Sequence, residues 1–470
     1  MRITQIRTAV AAGVAGLCLA LANPGGAQAE TLSDAMADAY KSSGLLEQNR
    51  AVLRAADEDV AVAVSNLRPV LRWVGDVTRQ FGEARNAVGE QGLEGSSVSM
   101  ALTAELVLWN GGRNQMRVDI AKETVLGTRQ ALIGVEQQVL QRAVQAYMDV
   151  RSRSEIVQLR QNNIRVITQE LRAANDRFEV GEVTRTDVAL AQARLAEARS
   201  NLAQAEGDLA IAIEDFRFAV GRAPGNLTQP PAMQLPARNV DAAKAVAMRR
   251  HPDILRAQFE VTAADLGVLL ARAATQPEVS LTGRLGVTEN FSSDNFTRSG
   301  SVGIQTGSVI YQGGQLRALS RRAIAQRDAQ RGALLETQRT IAQNVGRAYA
   351  QVQVAQAAIE AVDEQIRAAR VAFDGVREEA TLGARTTLDV LNAEQELLNA
   401  QASRITAASN EYTAYYALLR AMGLLTVDNL NLRVPQYDPT EYYNMVRDAP
   451  SAISQQGRQL DRVLQSIGRQ

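Results

Sequence analysis

The sequence predicts an α+β chain made of two copies of one unit, each with two long amphipathic strands and a pair of very long helices. Three observations carry this prediction. The stretch Leu108-Trp109-Asn110-Gly111-Gly112-Arg113 returns as Ile310-Tyr311-Gln312-Gly313-Gly314-Gln315. The glycines lie 313 − 111 = 202 positions apart, and Tyr147 and Tyr349 keep that interval, 349 − 147 = 202. Gly181 and Gly383, Asp187 and Asp389, and Gly221 and Gly423 keep it too, so the helical part was duplicated without insertion or deletion. Second, four runs alternate apolar and polar residues with period two. Third, a helical pattern runs without a break for about 65 residues, a rod of about 100 Å at ~1.5 Å per residue.

The 470 residues carry 51 basic and 51 acidic side chains, a balance that argues against a general nucleic-acid binder. Only Lys41, Lys122 and Lys244 are lysines, which reads as codon bias. Aromatic residues make up 4%, as long Ala-rich helices would give. Arg2 and Arg7 precede the apolar run from Ala9 to Ala22, and Ala27-Gln28-Ala29 offers small residues for cleavage. Residues 1–29 therefore read as a secretory signal peptide. Cys18, the only cysteine, lies inside that run; Leu17 is too bulky to precede a lipidated cysteine, so it reads as apolar filler. No later stretch has the ~20 apolar residues of a membrane helix, so entry into a membrane would require a β-barrel.

Along the chain, residues 33–67 read as helix, capped by Ser33 and ended by Pro69. From Pro69 to Phe81, Leu71, Trp73 and Val77 point one way and Arg72, Asp76 and Thr78 the other. A polar loop, Gly82 to Ser96, leads to a second alternating run from Val98 to Leu108. Helix follows Gly112 to about Phe178, with Leu132, Val135, Val139, Ala143, Ala146 and Val150 forming a coiled-coil seam. The break Val180-Gly181-Glu182-Val183-Thr184 precedes a returning helix, capped by Thr186 with Asp187 in its first turn, that runs to Gly221. The first repeat spans 30–222 and a Pro-rich linker spans 223–240. The second repeat, 241–424, includes a helix start at His251-Pro252-Asp253 and strands after Pro277 with a loop at Asn290 to Arg298. A long helix then runs from Gly314 to about Glu379, broken at Leu382-Gly383-Ala384-Arg385, before the return over Thr386 to Met422. Residues 425–470 form a C-terminal segment, with a turn at Tyr437-Asp438-Pro439 and a short helix after Ser454.

Four strands per chain cannot close a membrane barrel, for which about eight is the observed minimum, and open sheet edges are not tolerated in lipid. Several chains must then share one barrel; three supply 12 strands, and the helices continue it as a cylinder. In these features the chain resembles the TolC family of outer-membrane efflux and secretion channels. The resemblance runs from Leu32 to about Tyr443. It rests on the duplication, on the strand-end motifs Trp109-x-Gly111-Gly112 and Tyr311-x-Gly313-Gly314, and on Val180-Gly181 through Thr186-Asp187-Val188 with its counterpart at Gly383, Thr386, Asp389 and Val390. It implies a homotrimer in outer-membrane lipid, with a helical tunnel narrowing in the periplasm. It also implies a passive exit duct joined through a periplasmic adaptor to an inner-membrane pump, an RND or ABC transporter.

The resemblance also suggests residues for the gate. Asp389 would project into the lumen as a ring of three carboxylates, which favours cations. The second acidic place one turn on is Asn392 here, so a less charged constriction is expected. Arg385 matches a position that holds the mouth shut, with Thr186 and Asp187 as expected partners; a tyrosine that helps in some members is Ala380 here. The tips Val180, Gly181, Glu182, Val183 and Thr184, with Leu382, Gly383 and Ala384, match the loops that meet the adaptor; Gly181 and Gly383 also read as helix C-caps. No metal cluster, cofactor motif, phosphate-cradling glycine loop or nucleophile motif is present, so no enzyme is expected. A periplasmic coiled-coil adaptor or structural protein would explain the helices and the leader, but not four strands of which two end in paired glycines.

Overall fold

The structure is a computed structural model that describes residues 30–87, 89–92, 94–291 and 296–467. The expected signal peptide lies outside those residues. In order, the elements are α1 (Leu32–Ser42), α2 (Gly44–Ser65), β1 (Val70–Gln80), β2 (Glu83–Asn86), β3 (Gly89–Gly92), β4 (Gly95–Trp109), α3 (Arg113–Glu179) and α4 (Arg185–Val220). Then come α5 (Val240–Arg250), α6 (Pro252–Ala273), β5 (Glu278–Asn290), β6 (Phe296–Gly307), α7 (Gln315–Thr381), α8 (Thr387–Ala421), α9 (Pro439–Val446) and α10 (Gln455–Ile467). The long helices α3 and α7 have 67 residues each, about 100 Å. The predicted fold class is the one observed.

The helix expected over 33–67 is two helices. Thr31, not Ser33, starts the first, exchanging bonds with Asp34 in a capping box. Ser43, in extended backbone, ends α1 and caps α2 through Leu46 N. The second unit repeats this: Asn239 caps α5, and His251 caps α6, its Nδ1 accepting from the Asp253 amide at 3.2 Å. These helices are offset by 240 − 32 = 208 and 252 − 44 = 208 positions, as is the start of the first strand, 278 − 70 = 208. Beyond the strand hairpins the offset is 202, so the first hairpin as a whole, strands and loop together, is 208 − 202 = 6 residues longer. The small β2–β3 ladder lies within the polar loop expected over Gly82 to Ser96, which the alternation does not reveal.

The four long strands form one antiparallel sheet in the order β1-β4-β5-β6. Register places Trp73, Leu102 and Leu285 in one row across the sheet, and Arg72, Thr103, Arg284 and Ser301 in the next. Successive rows face opposite sides, so one face is apolar and the other polar, as the alternation predicted. The last strand requires a correction. The sequence carries it to Tyr311, but β6 ends at Gly307, which pairs with Glu278, the first residue of β5. No residue of β5 lies opposite 308–311, so the ladder has no partner there, and Ile310 and Tyr311 are exposed. Trp109, by contrast, keeps a partner at its strand end, Val279 of β5, across a bulge. The paired glycines act alike in both copies: Gly111, Gly112, Gly313 and Gly314 all have positive φ and turn the chain from sheet into helix.

The seam on α3 is real: Val139, Ala143, Ala146 and Val150 are buried, and Leu132 and Val135 pack against them. α3 pairs with α4 and α7 with α8, while α3 also packs against α8 and joins the two hairpins. The core lies where α1, the middle of α3, the end of α4 and the end of α8 meet, around Met36, Tyr147 and Phe216. Leu425 and Val427 of the C-terminal segment close it. The predicted turn at Tyr437-Asp438-Pro439 starts α9, with Asp438 as its cap.

Gly221 and Gly423 end α4 and α8 where each return helix meets the α1–α2 or α5–α6 corner. A Cβ on Gly423, at φ +76°, would lie 2.8 Å from the His251 Cα. Gly423→Ala is therefore expected to lower stability by more than the roughly 1–2 kcal/mol of left-handed strain alone, read as earlier thermal unfolding. Gly383→Ala, at φ +75° with open space around it, should show only the strain.

Candidate functional site

Each helical hairpin ends in a tip of matching construction. The Glu182 amide reaches back to the Arg177 carbonyl (2.9 Å) and the Ala384 amide to the Glu379 carbonyl (2.9 Å). Gly181 and Gly383 occupy the left-handed position of these Schellman turns, so the C-cap reading holds at both. Val180 and Leu382 project from the tips with 71% and 81% of their surface exposed. Burial gives these two apolar side chains nothing within the chain.

The first return helix, α4, restarts two residues earlier than predicted, whereas α8 starts at the expected Thr386. Thr184, not Thr186, is the N-cap of α4, and its hydroxyl (2.7 Å) and amide (2.9 Å) both donate to Asp187. Thr386 does the same to Asp389 at 2.8 and 3.0 Å. The T-x-x-D spacing at both places is the legible signal that the sequence reading passed over. The Thr184 hydroxyl holds the Asp187 carboxyl below its usual range, and the Thr386 backbone amide does so for Asp389. Both carboxylates stay ionised through neutral and mildly acidic conditions.

Arg385 takes a different partner within the chain from the one expected. Its Nε donates to Glu379 at 2.8 Å, across the turn of its own tip. Asp187 is engaged by its capping box and Thr186 is exposed. Asn392 is not an open position either: its amide oxygen accepts from Arg194 of α4 at 3.0 Å. This contact crosses between hairpins, and it has company. Glu170 of α3 faces Arg377 of α7 at 3.6 Å, and Asn163 of α3 donates to Glu394 of α8 at 2.8 Å. The sequence reading missed Arg194, Asn163 and Glu394. Glu394 was findable, since it falls in the buried stripe Val390, Leu391, Leu398, where a charge is out of place.

At the opposite end, the sheet leaves both faces bare. Trp73, Leu285, Val302 and Ile304 are strongly exposed on the apolar face. The polar face carries a shallow dish of about 400 Å³ lined by Arg72, Thr103, Glu105, Arg284, Ser301 and Gln305. Both edge strands, β1 and β6, have a free side. No helix among the described residues is long and apolar enough to cross a membrane. A two-sided sheet with open edges and one apolar face is stable only if further strands close it and lipid covers that face.

The comparisons agree with this geometry. The family model for outer membrane efflux proteins matches residues 36–222 and 245–424, the two structural units. The outer membrane efflux protein BepC of Brucella suis biovar 1 is 34% identical over 90% of this chain and 91% of its own. The outer membrane protein TolC of Escherichia coli K12 is 25% identical over 86% and 84%. The crystal structure of the outer membrane protein VceC from Vibrio cholerae superposes with a TM-score of 0.72 at 20% identity, covering 83% of this chain and 96% of that one. The chain belongs to the outer membrane efflux protein family and is a TolC-type exit duct of the outer membrane that extends into the periplasm.

Proposed function

We propose that this duct works as a homotrimer, with each sheet one third of a 12-stranded barrel and the hairpin tips forming its periplasmic mouth. The observation that carries this reading is the single four-stranded sheet with both edges open, joined to helices of 67 residues. Three copies close the barrel β6 to β1, and residues 308–311 then gain the neighbour that the single chain lacks. The apolar faces meet lipid and the polar faces line the passage. No chemistry is performed on the cargo; the chain is a conduit rather than an enzyme.

The exposed Val180 and Leu382 at the tips suit docking by a periplasmic adaptor, which would connect the duct to an inner-membrane pump. Cargo is then selected by that pump, so drug efflux and type I secretion use the same exit. BepC is named for efflux, and the alkaline protease secretion protein AprF of Pseudomonas aeruginosa, 26% identical over 63% of this chain and 64% of its own, for secretion. Asp389 is assigned to the constriction and Arg385 to its closure.

Protein extracted from outer membranes is expected to migrate as a heat-resistant trimer and to form ion-conducting pores in planar bilayers. Epitope tags in the Gly82 to Ser96 and Asn290 to Arg298 loops should be reachable by antibody on intact cells. A monomer without pores would overturn the reading, and tags reached at Val180 to Thr184 instead would reverse the orientation.

A further inference from the structure

We propose that Glu394 and Asn163 form a buried latch that holds the two helical hairpins of each chain together beside the mouth. The proposal rests on the duct described above and adds a positioning residue to it. Glu394 lies five positions beyond Asp389 on α8, and only 7% of its surface is exposed. One carboxyl oxygen accepts from Asn163 on α3 at 2.8 Å. The other, Oε2, is buried without a hydrogen-bond partner. Leu391, one turn back on α8, packs into the neighbouring contact between the hairpins with Ala174, Val188 and Ala191. The bond therefore sits on the surface along which the hairpins must part if the mouth widens.

The latch depends on the proton carried by Glu394. A charge at this depth with one unpaired oxygen is far more costly than a neutral carboxyl there. The charged groups around it are committed to one another. Arg377 of α7 faces Glu170 of α3, and Arg194 of α4 pairs with Glu197 at 2.9 Å while donating to Asn392. Gln395, the next residue of α8, donates to Asn399. No cation is left free for Glu394 among the described residues that line this site. Burial accordingly pushes its carboxyl up from 4.5 to about 7, a rise that the Asn163 bond and Arg377 oppose and Glu170 assists.

The sign follows directly. With the hairpins together Glu394 binds its proton more tightly than when water reaches it, so the closed arrangement is favoured at low pH. That preference fades as pH rises from about 4.5 to about 7, where Glu394 ionises and the hairpins separate more readily. Asp389 does not titrate in this window, because the Thr386 bonds hold its carboxyl low.

The test is single-channel recording of the full-length trimer in planar bilayers between pH 5.5 and 8, beside Glu394→Gln and Asn163→Ala. The wild-type ratio of open to closed time is expected to rise at least tenfold across that range. Glu394→Gln, isosteric and permanently neutral, should stay mostly closed with a flat profile. Asn163→Ala should open more at every pH, with its profile retained. A wild-type profile that is flat, or a Glu394→Gln profile as steep as wild type, overturns the latch. Failure to trimerise or to conduct at all would instead count against the duct, and heat-resistant migration of each variant separates the two.

Discussion

Tyr147→Ala is expected to lower the stability of the folded chain by about 3–5 kcal/mol. Tyr147 is fully buried in the core where α1, α3, α4 and α8 meet. Its ring fills the space beside Met36 and Phe216, and its hydroxyl donates to the Thr228 carbonyl at 2.6 Å. Thr228 belongs to the linker between the units, so this one side chain holds the core and the connection together. Tyr412 of α8 grips the same linker through the Pro230 carbonyl at 2.7 Å. Tyr349, the repeat partner of Tyr147, holds the stretch before α5 through the Arg238 carbonyl at a longer 3.3 Å. Tyr147→Phe removes only the hydroxyl and should cost about 1 kcal/mol. Thermal unfolding followed by circular dichroism checks both; equal losses would mean that the linker bond, not the packing, dominates.

At the mouth, Asp389→Asn is expected to shift the reversal potential in a salt gradient toward lower cation preference and to weaken block by multivalent cations. In the proposed trimer three carboxylates in a ring would set that preference, and the Thr386 bonds keep Asp389 ionised to well below neutral pH. Trimer assembly should be unaffected, although loss of the charge also weakens the cap of α8. If Arg385 closes the mouth as proposed, Arg385→Ser changes width instead and should raise single-channel conductance. Because Arg385 is tied to Glu379 on its own tip, Glu379→Gln provides the matching control. It frees the guanidinium to reach across to Thr186 or Asp187 and should leave conductance unchanged or lower. If Arg385→Ser leaves conductance as it was, closure rests on the links between hairpins, Arg194 to Asn392 and Asn163 to Glu394.

Much of this was legible because it is periodic. Alternation with period two placed Leu71, Trp73 and Leu285 on one face of the sheet and Arg72, Thr103 and Arg284 on the other. The seam from Leu132 to Val150 and the rods of 67 residues follow from helical spacing alone. The less legible parts depend on which residue reaches a partner first. The helix starts slipped by two positions because Thr184 and Thr31, rather than Thr186 and Ser33, stand three residues before an aspartate. The Ser43 corner escaped notice because α1 and α2 have nearly continuous helical spacing, and only the backbone at one residue separates them.

The sequence by itself determined the duplication, the sheet with two unlike faces, the rods and the glycine turns at both ends of them. Each depends on residues near one another along the chain, or on an interval that two copies share. Tertiary structure alone decided where β6 stops, since a strand ends where its partner does and β5 begins at Glu278. It also decided that Asn392 pairs with Arg194, because an exposed side chain takes whichever partner the packing brings within reach. Glu394 belongs to the same class. A carboxylate on a helix is ordinary until a second helix covers it, and α3, more than two hundred positions earlier, is what does so.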